Sequence, residues 1–291
     1  NIYQVIANRN FNNQVFTDRS MVLPLANEIG TSSPQIKNAV VTTYQRDIVL
    51  AREEKKLKQK GYTVGDQFFD VFTWEFSKGN AGTAFTAPNS IVLTESAAKT
   101  FFGDEDPINK VLRMDNLTDM KVTAIVKDPP RNSTFEFDWL TSFNINDPKT
   151  KASMNEWQNS SWNVFINTAA DADTALLNKS ITQIKRAHGK DDMSSYFVFP
   201  MNRWHLYGDF NNGYNTGGII EYVRLFSIIA VIILLVACIN FMNLSTARSE
   251  KRAKEVGIRK TLGSTRKQLI LQFFFESIIL TLIAFFLAVI A

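Results

Sequence analysis

Two long apolar stretches near the C-terminal end limit this chain more than any other feature. From Ile219 to Phe241 it reads IIEYVRLFSIIAVIILLVACINF, and the centre, Leu225 to Ile239, has Ser227 as its one polar side chain. From Leu269 to Ala291 it reads LILQFFFESIILTLIAFFLAVIA. A helix of about twenty apolar residues rises ~30 Å, the thickness of a bilayer's hydrocarbon core. Burying two such helices inside a soluble protein would require a very large surrounding core. Residues 219–241 and 269–291 are therefore expected to be transmembrane helices. The chain opens on Asn1 without an initiator Met and closes inside an apolar run, so further chain is expected on both sides.

The segment between the stretches, Asn243 to Gln268, fixes the orientation. It carries Arg248, Arg252, Arg259, Arg266, Lys251, Lys254, Lys260 and Lys267 against Glu250 and Glu255, a net +6 in a chain whose total is +4. Short loops this rich in Lys and Arg stay on the cytoplasmic side. Residues 242–268 then form a cytoplasmic segment, and the 218 residues before the first span lie outside the cytoplasm. A basic helix at the inner surface gains about 1 kcal/mol per Lys or Arg from anionic lipid, so membrane lipid is an expected partner. Because the basic excess sits in one loop, it implies no nucleic-acid partner. On the outer side, Trp204, Tyr207, Phe210, Tyr214 and Tyr222 fit an aromatic belt at the headgroup layer. Glu221 and Arg224 are spaced to pair on a helix. Gly213, Gly217 and Gly218 read as a flexible join between outer domain and span.

Residues 1–215 alternate short strand-like and helix-like segments, which predicts an α+β domain in two lobes. Strands are expected at Ile2–Ala7, Ile36–Tyr44, Arg46–Ala51, Ser90–Leu93, Lys110–Met114, Met120–Val126, Trp162–Thr168 and Tyr196–Phe199. Helices are expected at Met21–Gly30, Glu95–Phe102 and Asp171–His188, the last with apolar Leu176, Leu177, Ile181 and Ile184. Asp128-Pro129-Pro130 breaks the chain after the sixth of these strands.

No catalytic constellation emerges. His188 and His205 stand in unrelated contexts, the sole cysteine, Cys238, lies in the first apolar stretch, and no His/Cys spacing suits a metal. Neither a metal nor a cofactor is expected. Ser90 and Ser133 lack the surroundings of a nucleophile elbow. Asp104-Glu105-Asp106 reads as a solvated acidic turn. Gly257 to Thr265, GIRKTLGST, has the wrong glycine spacing for a phosphate loop and places Ser264 where Lys is required. The chain is not expected to be an enzyme.

Asn240 to Gly263, NFMNLSTARSEKRAKEVGIRKTLG, resembles the MacB/FtsX permease family, above all through Glu255-Val256-Gly257-Ile258-Arg259-Lys260-Thr261-Leu262-Gly263. Ser264 to Gln268 and the apolar helix with Glu276 are similar as well. Asn1–Ala7, Ser90–Asp106 and Val122–Asp128 resemble the family's periplasmic core domain. The resemblance implies a multi-pass permease of the bacterial inner membrane, with one span before Asn1 and at least one after Ala291. It implies a permease homodimer or heterodimer served by an ABC ATPase, and a periplasmic or outer-membrane partner. It further implies mechanotransmission, in which ATP hydrolysis moves the periplasmic domain to export or extract an antibiotic, peptide or lipoprotein. A regulator of cell-wall hydrolases, as in FtsX itself, stays open, as does a membrane sensor ectodomain. The ATPase contact is assigned to Glu255, Gly257, Ile258, Arg259, Lys260, Leu262 and Gly263. Gln272 and Glu276, one turn apart on the second span, are assigned to packing inside the membrane, since an acid there must face protein or water.

Overall fold

A computed structural model of the chain describes residues 1–144, 146–189 and 193–290, with the backbone alone at 248–252. Ala291, the expected end of the second span, and the side chains of Arg248, Glu250, Lys251 and Arg252 lie outside the described residues. The chain divides into two compact units, Asn1–Ile220 and Glu221–Ala291.

The first unit begins with β1 (Ile2–Phe11), β2 (Gln14–Asp18), α1 (Leu25–Ser32), β3 (Ile36–Thr42), β4 (Arg46–Arg52) and β5 (Lys55–Val64). Next come α2 (Phe68–Val71), β6 (Phe76–Lys78), α3 (Ala81–Ala84), β7 (Ser90–Thr94), α4 (Glu95–Phe102), β8 (Val111–Met114) and β9 (Thr118–Val126). It continues with β10 (Trp139–Ser142), α5 (Pro148–Ser153), β11 (Asn163–Thr168), α6 (Thr174–Ala187) and β12 (Ser195–Pro200). A 3₁₀ turn at Met201–Arg203 and a hairpin of β13 (Asp209–Asn211) and β14 (Tyr214–Gly217) complete it.

One sheet runs through this unit in the order β10-β7-β9-β8-β4-β5-β3-β11-β1-β12. Parallel pairing of β10 with β5 closes its first six strands into a ring. Closure depends on Gly61 of β5, which faces Trp139 of β10: a Cβ there would lie 2.1 Å from the Trp139 carbonyl oxygen. α4 covers this region, burying Phe101 and Phe102 with Ile48, Leu50, Ile91, Leu93 and Trp139. The helix is started by the Thr94 hydroxyl, which accepts from the Ala97 N–H, and ended by Gly103 at φ 59°. The remaining strands, β3-β11-β1-β12, carry α1 and α6 on one face. Leu25 and Ile29 of α1 and Leu177 and Ile181 of α6 pack there against Val5, Val164, Ile166 and Tyr196. This is an α+β fold; a third cluster, in which Tyr62, Val92 and Leu140 of the ring pack with Val40 and Phe165 of the helix-covered sheet, joins the two along one strand path.

Three local differences from the sequence expectations have physical causes. α1 starts at Leu25, because Pro24 takes the N-cap position while Met21 is held extended by a bridge to Trp162. β5 escapes the alternation test because its first half, Lys55 to Lys60, is a cationic hairpin arm paired with β4 and has little core to face. The third difference is the stretch before the first apolar helix, expected as an aromatic belt with a flexible join. Trp204 instead packs edge-on against Phe165 at 5.6 Å, and its Nε1–H donates to Oε1 of the fully buried Gln4 at 2.6 Å. Gln4 in turn donates to Asn163 Oδ1 at 3.0 Å. Phe210 packs on Phe199, so of the expected belt in this unit Tyr214 is the aromatic that stays well exposed, at 77%. Asn215 donates to the Tyr207 carbonyl at 2.6 Å, and the Ile220 N–H donates to the Leu206 carbonyl at 3.1 Å. The glycines here serve turns in a bonded collar: Gly218 lies at φ 131° with the Leu206 carbonyl 3.1 Å from where its Cβ would be.

Two helices carry the rest of the chain: α7 (Ile219–Thr261) and α8 (Arg266–Ile290). Their apolar portions, Ile219–Ala247 and Arg266–Ile290, are long enough to cross a membrane. Expected to end near Phe241, α7 runs on through the basic segment for 43 residues in all. The sequence after Phe241 contains no proline and is rich in Ala, Lys, Arg and Glu, so nothing stops the helix before Gly263.

Candidate functional site

The resemblance placed the functional contact between Glu255 and Gly263, and the structure makes this stretch the end of α7 and the elbow into α8. The Gly263 N–H donates to the Lys260 carbonyl at 3.2 Å and the Ser264 N–H to the Arg259 carbonyl at 3.1 Å, a Schellman closure with Gly263 at φ 94°. Four residues, Leu262 to Thr265, separate the helices. α8 opens with a reciprocal cap. Thr265 N–H donates to Gln268 Oε1 at 3.0 Å, and the Gln268 N–H donates to the Thr265 hydroxyl at 3.4 Å. The T-x-x-Q signal for this cap stands in the sequence at Thr265-Arg266-Lys267-Gln268.

Within the elbow the candidate residues split between two faces of α7. Arg259 reaches across to α8: its Nη1 donates to Gln272 Oε1 at 2.6 Å and its Nη2 to Glu255 Oε1 at 2.7 Å. Gln272, assigned to packing inside the membrane, is thus tied to the basic end of α7. Val256 and Lys260, one turn apart, also face α8. With Arg266, Leu269, Ile270 and Phe273 they line a cavity of about 300 Å³. Ile258 and Leu262 share a different face and point outward, 55% and 80% exposed. Gly257 is helical and open: a Cβ there would meet nothing within 4 Å. Glu276 is half-buried and not without an interacting group.

In the outer unit a hollow of about 420 Å³ is lined by Trp74, Glu75, Lys127, Asp128 and Ser133, but Lys127 is paired with Glu75 at 2.5 Å and Asp128 accepts from the Ser96 hydroxyl at 2.6 Å. The acidic turn is a structural staple: Glu105 accepts from Lys110 and, at 3.0 Å, from Arg52, while Asp106 accepts from Lys78 at 3.0 Å. Hydrogen bonds from Lys110 and then Arg52 hold the Glu105 carboxyl below its ordinary range, and those from Lys78 and the Ile108 N–H do the same for Asp106. His188 stacks on Trp157 at 3.7 Å and pairs with Glu28 at 2.8 Å. A shallow hollow beside Phe69 and Phe85 contains Asp66, whose carboxyl is pushed up by burial, together with Asp70 and Thr86. Among the described residues no three His, Cys, Asp or Glu side chains group as a metal site.

Comparison with known proteins agrees with the division of the chain. Residues 1–184 match the MacB-like periplasmic core domain and residues 227–291 the FtsX-like permease C-terminal region. The macrolide export ATP-binding/permease protein MacB of Aggregatibacter actinomycetemcomitans is 27% identical over 290 residues, covering 94% of this chain and 42% of the relative. The ABC transporter permease YknZ of Bacillus subtilis is 27% identical over 229 residues, covering 76% of this chain and 53% of the relative. The chain thus spans about half the length, or less, of these relatives. Among solved structures, a permease-protein domain from Porphyromonas gingivalis has TM-score 0.59 at 19% identity, covering 69% of this chain and 91% of that one. The extracellular domain of the noncanonic ABC-type transporter YknZ from Gram-positive bacteria has TM-score 0.51 at 10% identity, covering 69% of this chain and all of that one. These two likenesses place the outer unit in the same fold. With the core-domain family spanning well over half of its residues and the FtsX-like region following, the chain belongs to the MacB/FtsX-type ABC-transporter permeases.

Proposed function

We propose that this permease works by mechanotransmission: a separate ABC ATPase docks on the end of α7 and its hydrolysis cycle moves the extracytoplasmic domain. The chain crosses the inner membrane more than once in this reading, with residues 1–218 outside and 242–268 inside. A pair of such permeases with their ATPases, and a periplasmic or outer-membrane partner, would export or extract an antibiotic, peptide or lipoprotein. The observation that carries the proposal is the outward face of the elbow. Ile258 and Leu262 stand exposed on the helix end beyond the apolar portion of α7, where water would surround them if nothing docked. Burying both against a partner is worth about 1.5–3 kcal/mol each. Glu255 and Gly257 flank the same surface, the first able to pair with a cation and the second leaving room for a close approach.

The proposal also sorts the candidate residues. Ile258, Leu262, Glu255 and Gly257 belong to the docking face, whereas Arg259, Gly263 and Gln272 shape the elbow that presents it, with Glu276 packing deeper along α8. The test is co-purification of the full-length permease with its cognate ATPase. Ile258→Asp and Leu262→Asp should each weaken complex formation on the order of 100-fold, by removing apolar burial and inserting a desolvated charge. Gly257→Trp should weaken it through bulk alone. Wild-type complex formation in all three variants would place the ATPase elsewhere.

A further inference from the structure

The cavity between α7 and α8 lies on the face of the elbow opposite the exposed apolar pair, and its chemistry differs from a protein-docking stripe. Its lining combines apolar Val256, Leu269, Ile270 and Phe273 with Lys260 from the last turn of α7 and Arg266 from the first of α8. Leu269, 8% exposed, is the buried residue of α8. Neither Lys260 nor Arg266 lies within ion-pairing distance of a carboxylate among the described residues, whereas the neighbouring Arg259 is held by Glu255. Two cations without a carboxylate partner among the described residues thus line an apolar hollow, and much of its lining belongs to α8, a helix long and apolar enough to cross a membrane.

From this arrangement we infer that the cavity is a specific site for one anionic glycerophospholipid, its phosphate held between Lys260 and Arg266 and its first chain methylenes against Ile270 and Phe273. A volume of about 300 Å³ is small for a ligand pocket but holds a phosphoglycerol group and the start of an acyl chain. The charge is complementary to a lipid phosphate. A soluble phosphate would leave the apolar wall in water, and an apolar peptide would leave both cations unused. Arg266 offers a guanidinium fork for phosphate oxygens and Lys260 a point charge. The docking-face residues Ile258 and Leu262 do not line the site; Lys260, which the resemblance gave to the ATPase contact, is assigned here to the cavity instead.

The test follows lipid carried through purification. The full-length permease is equilibrated in phosphatidylcholine nanodiscs doped with phosphatidylglycerol, released into neutral detergent and weighed by native mass spectrometry. Wild type should retain phosphatidylglycerol on the order of 10-fold more than the Lys260→Gln/Arg266→Gln pair, given the attraction expected per basic residue. Lys254→Gln/Lys267→Gln removes the same charge outside the cavity and should retain lipid like wild type. Ile270→Trp keeps both cations but fills the hollow, and should also lose the lipid. Ile258→Asp should retain it whatever becomes of ATPase binding, so the two proposals can fail separately. Equal loss in both charge pairs would reduce the effect to diffuse surface attraction. Absence of enrichment in wild type, displacement by inorganic phosphate, or expulsion of the lipid by the ATPase would each overturn the assignment.

Discussion

Glu105 illustrates how much a single exposed side chain can organise in this domain. It accepts from Lys110 and Arg52, and Arg52 also donates to the Phe101 carbonyl at 3.0 Å and stacks over Phe102 at 4.5 Å. The β4–β5 arm is thereby pinned to the end of α4. Because these bonds depress the carboxyl in the folded state, they stabilise above the ordinary carboxylate range and are lost as pH falls through the depressed value. Asp106, held by Lys78, adds in the same direction. Urea midpoints of the isolated outer segment should therefore fall between about pH 5 and pH 2, and Glu105→Gln should flatten part of that slope. An unchanged slope would mean the staple contributes nothing. At this scale the sequence was partly legible. An acidic turn was visible, and Lys110 is near it in sequence, but its other basic partners, Arg52 and Lys78, lie 53 and 28 residues away, beyond any local pattern. Trp204 misled for the same reason: its closeness in sequence to a span is plain, whereas its bond to Gln4, 200 residues earlier, exists only in the fold.

Among the elements, the elbow between α7 and α8 has the clearest division of labour. Gly263 occupies a left-handed conformation that a side chain strains, and Gly257 sits in ordinary helix with open space around it. Gly263→Ala should cost about 1 kcal/mol of elbow stability, while Gly257→Ala should gain about 0.5–1 kcal/mol in the isolated permease. Helix protection against hydrogen exchange at residues 253–261 reads both effects; if the two substitutions move it alike, the Schellman closure is unimportant. If an ATPase closes on Gly257, the stabilising substitution should nevertheless weaken the complex. The resemblance placed both glycines in one candidate contact and did not distinguish their roles. Assigning each needs φ, a quantity that composition does not encode. Strand positions such as β7, β9 and β12 were legible through short runs of β-branched and aromatic residues, which the fold buries. The continuation of α7 past Phe241 was obscured by the change from apolar to basic residues, which alters the solvent a helix prefers without altering its backbone.

For the whole molecule, charge asymmetry is the feature that orients it. Residues 1–218 outside and 242–268 inside should be distinguished by labelling single cysteines in a Cys238→Ser background, since Cys238 is the one thiol of the chain and is exposed. A membrane-impermeant maleimide applied to intact spheroplasts should modify Leu117→Cys, at the 78% exposed tip of the β8–β9 hairpin, and leave Lys267→Cys untouched. The reverse pattern would sink the permease topology. The collar formed by residues 201–220 then has a consequence for how such a molecule can pass on a movement. Eighteen residues of free chain, 201 to 218, would have a root-mean-square span of about 23 Å and would absorb a displacement of a few ångströms as slack. Here that reserve is gone: Trp204 is fastened to β1 through Gln4, Asn215 to Tyr207, and Ile220 to Leu206. A displacement of Ile220, the last residue of the outer unit, would therefore reach β1 through this bonded collar and not through slack chain.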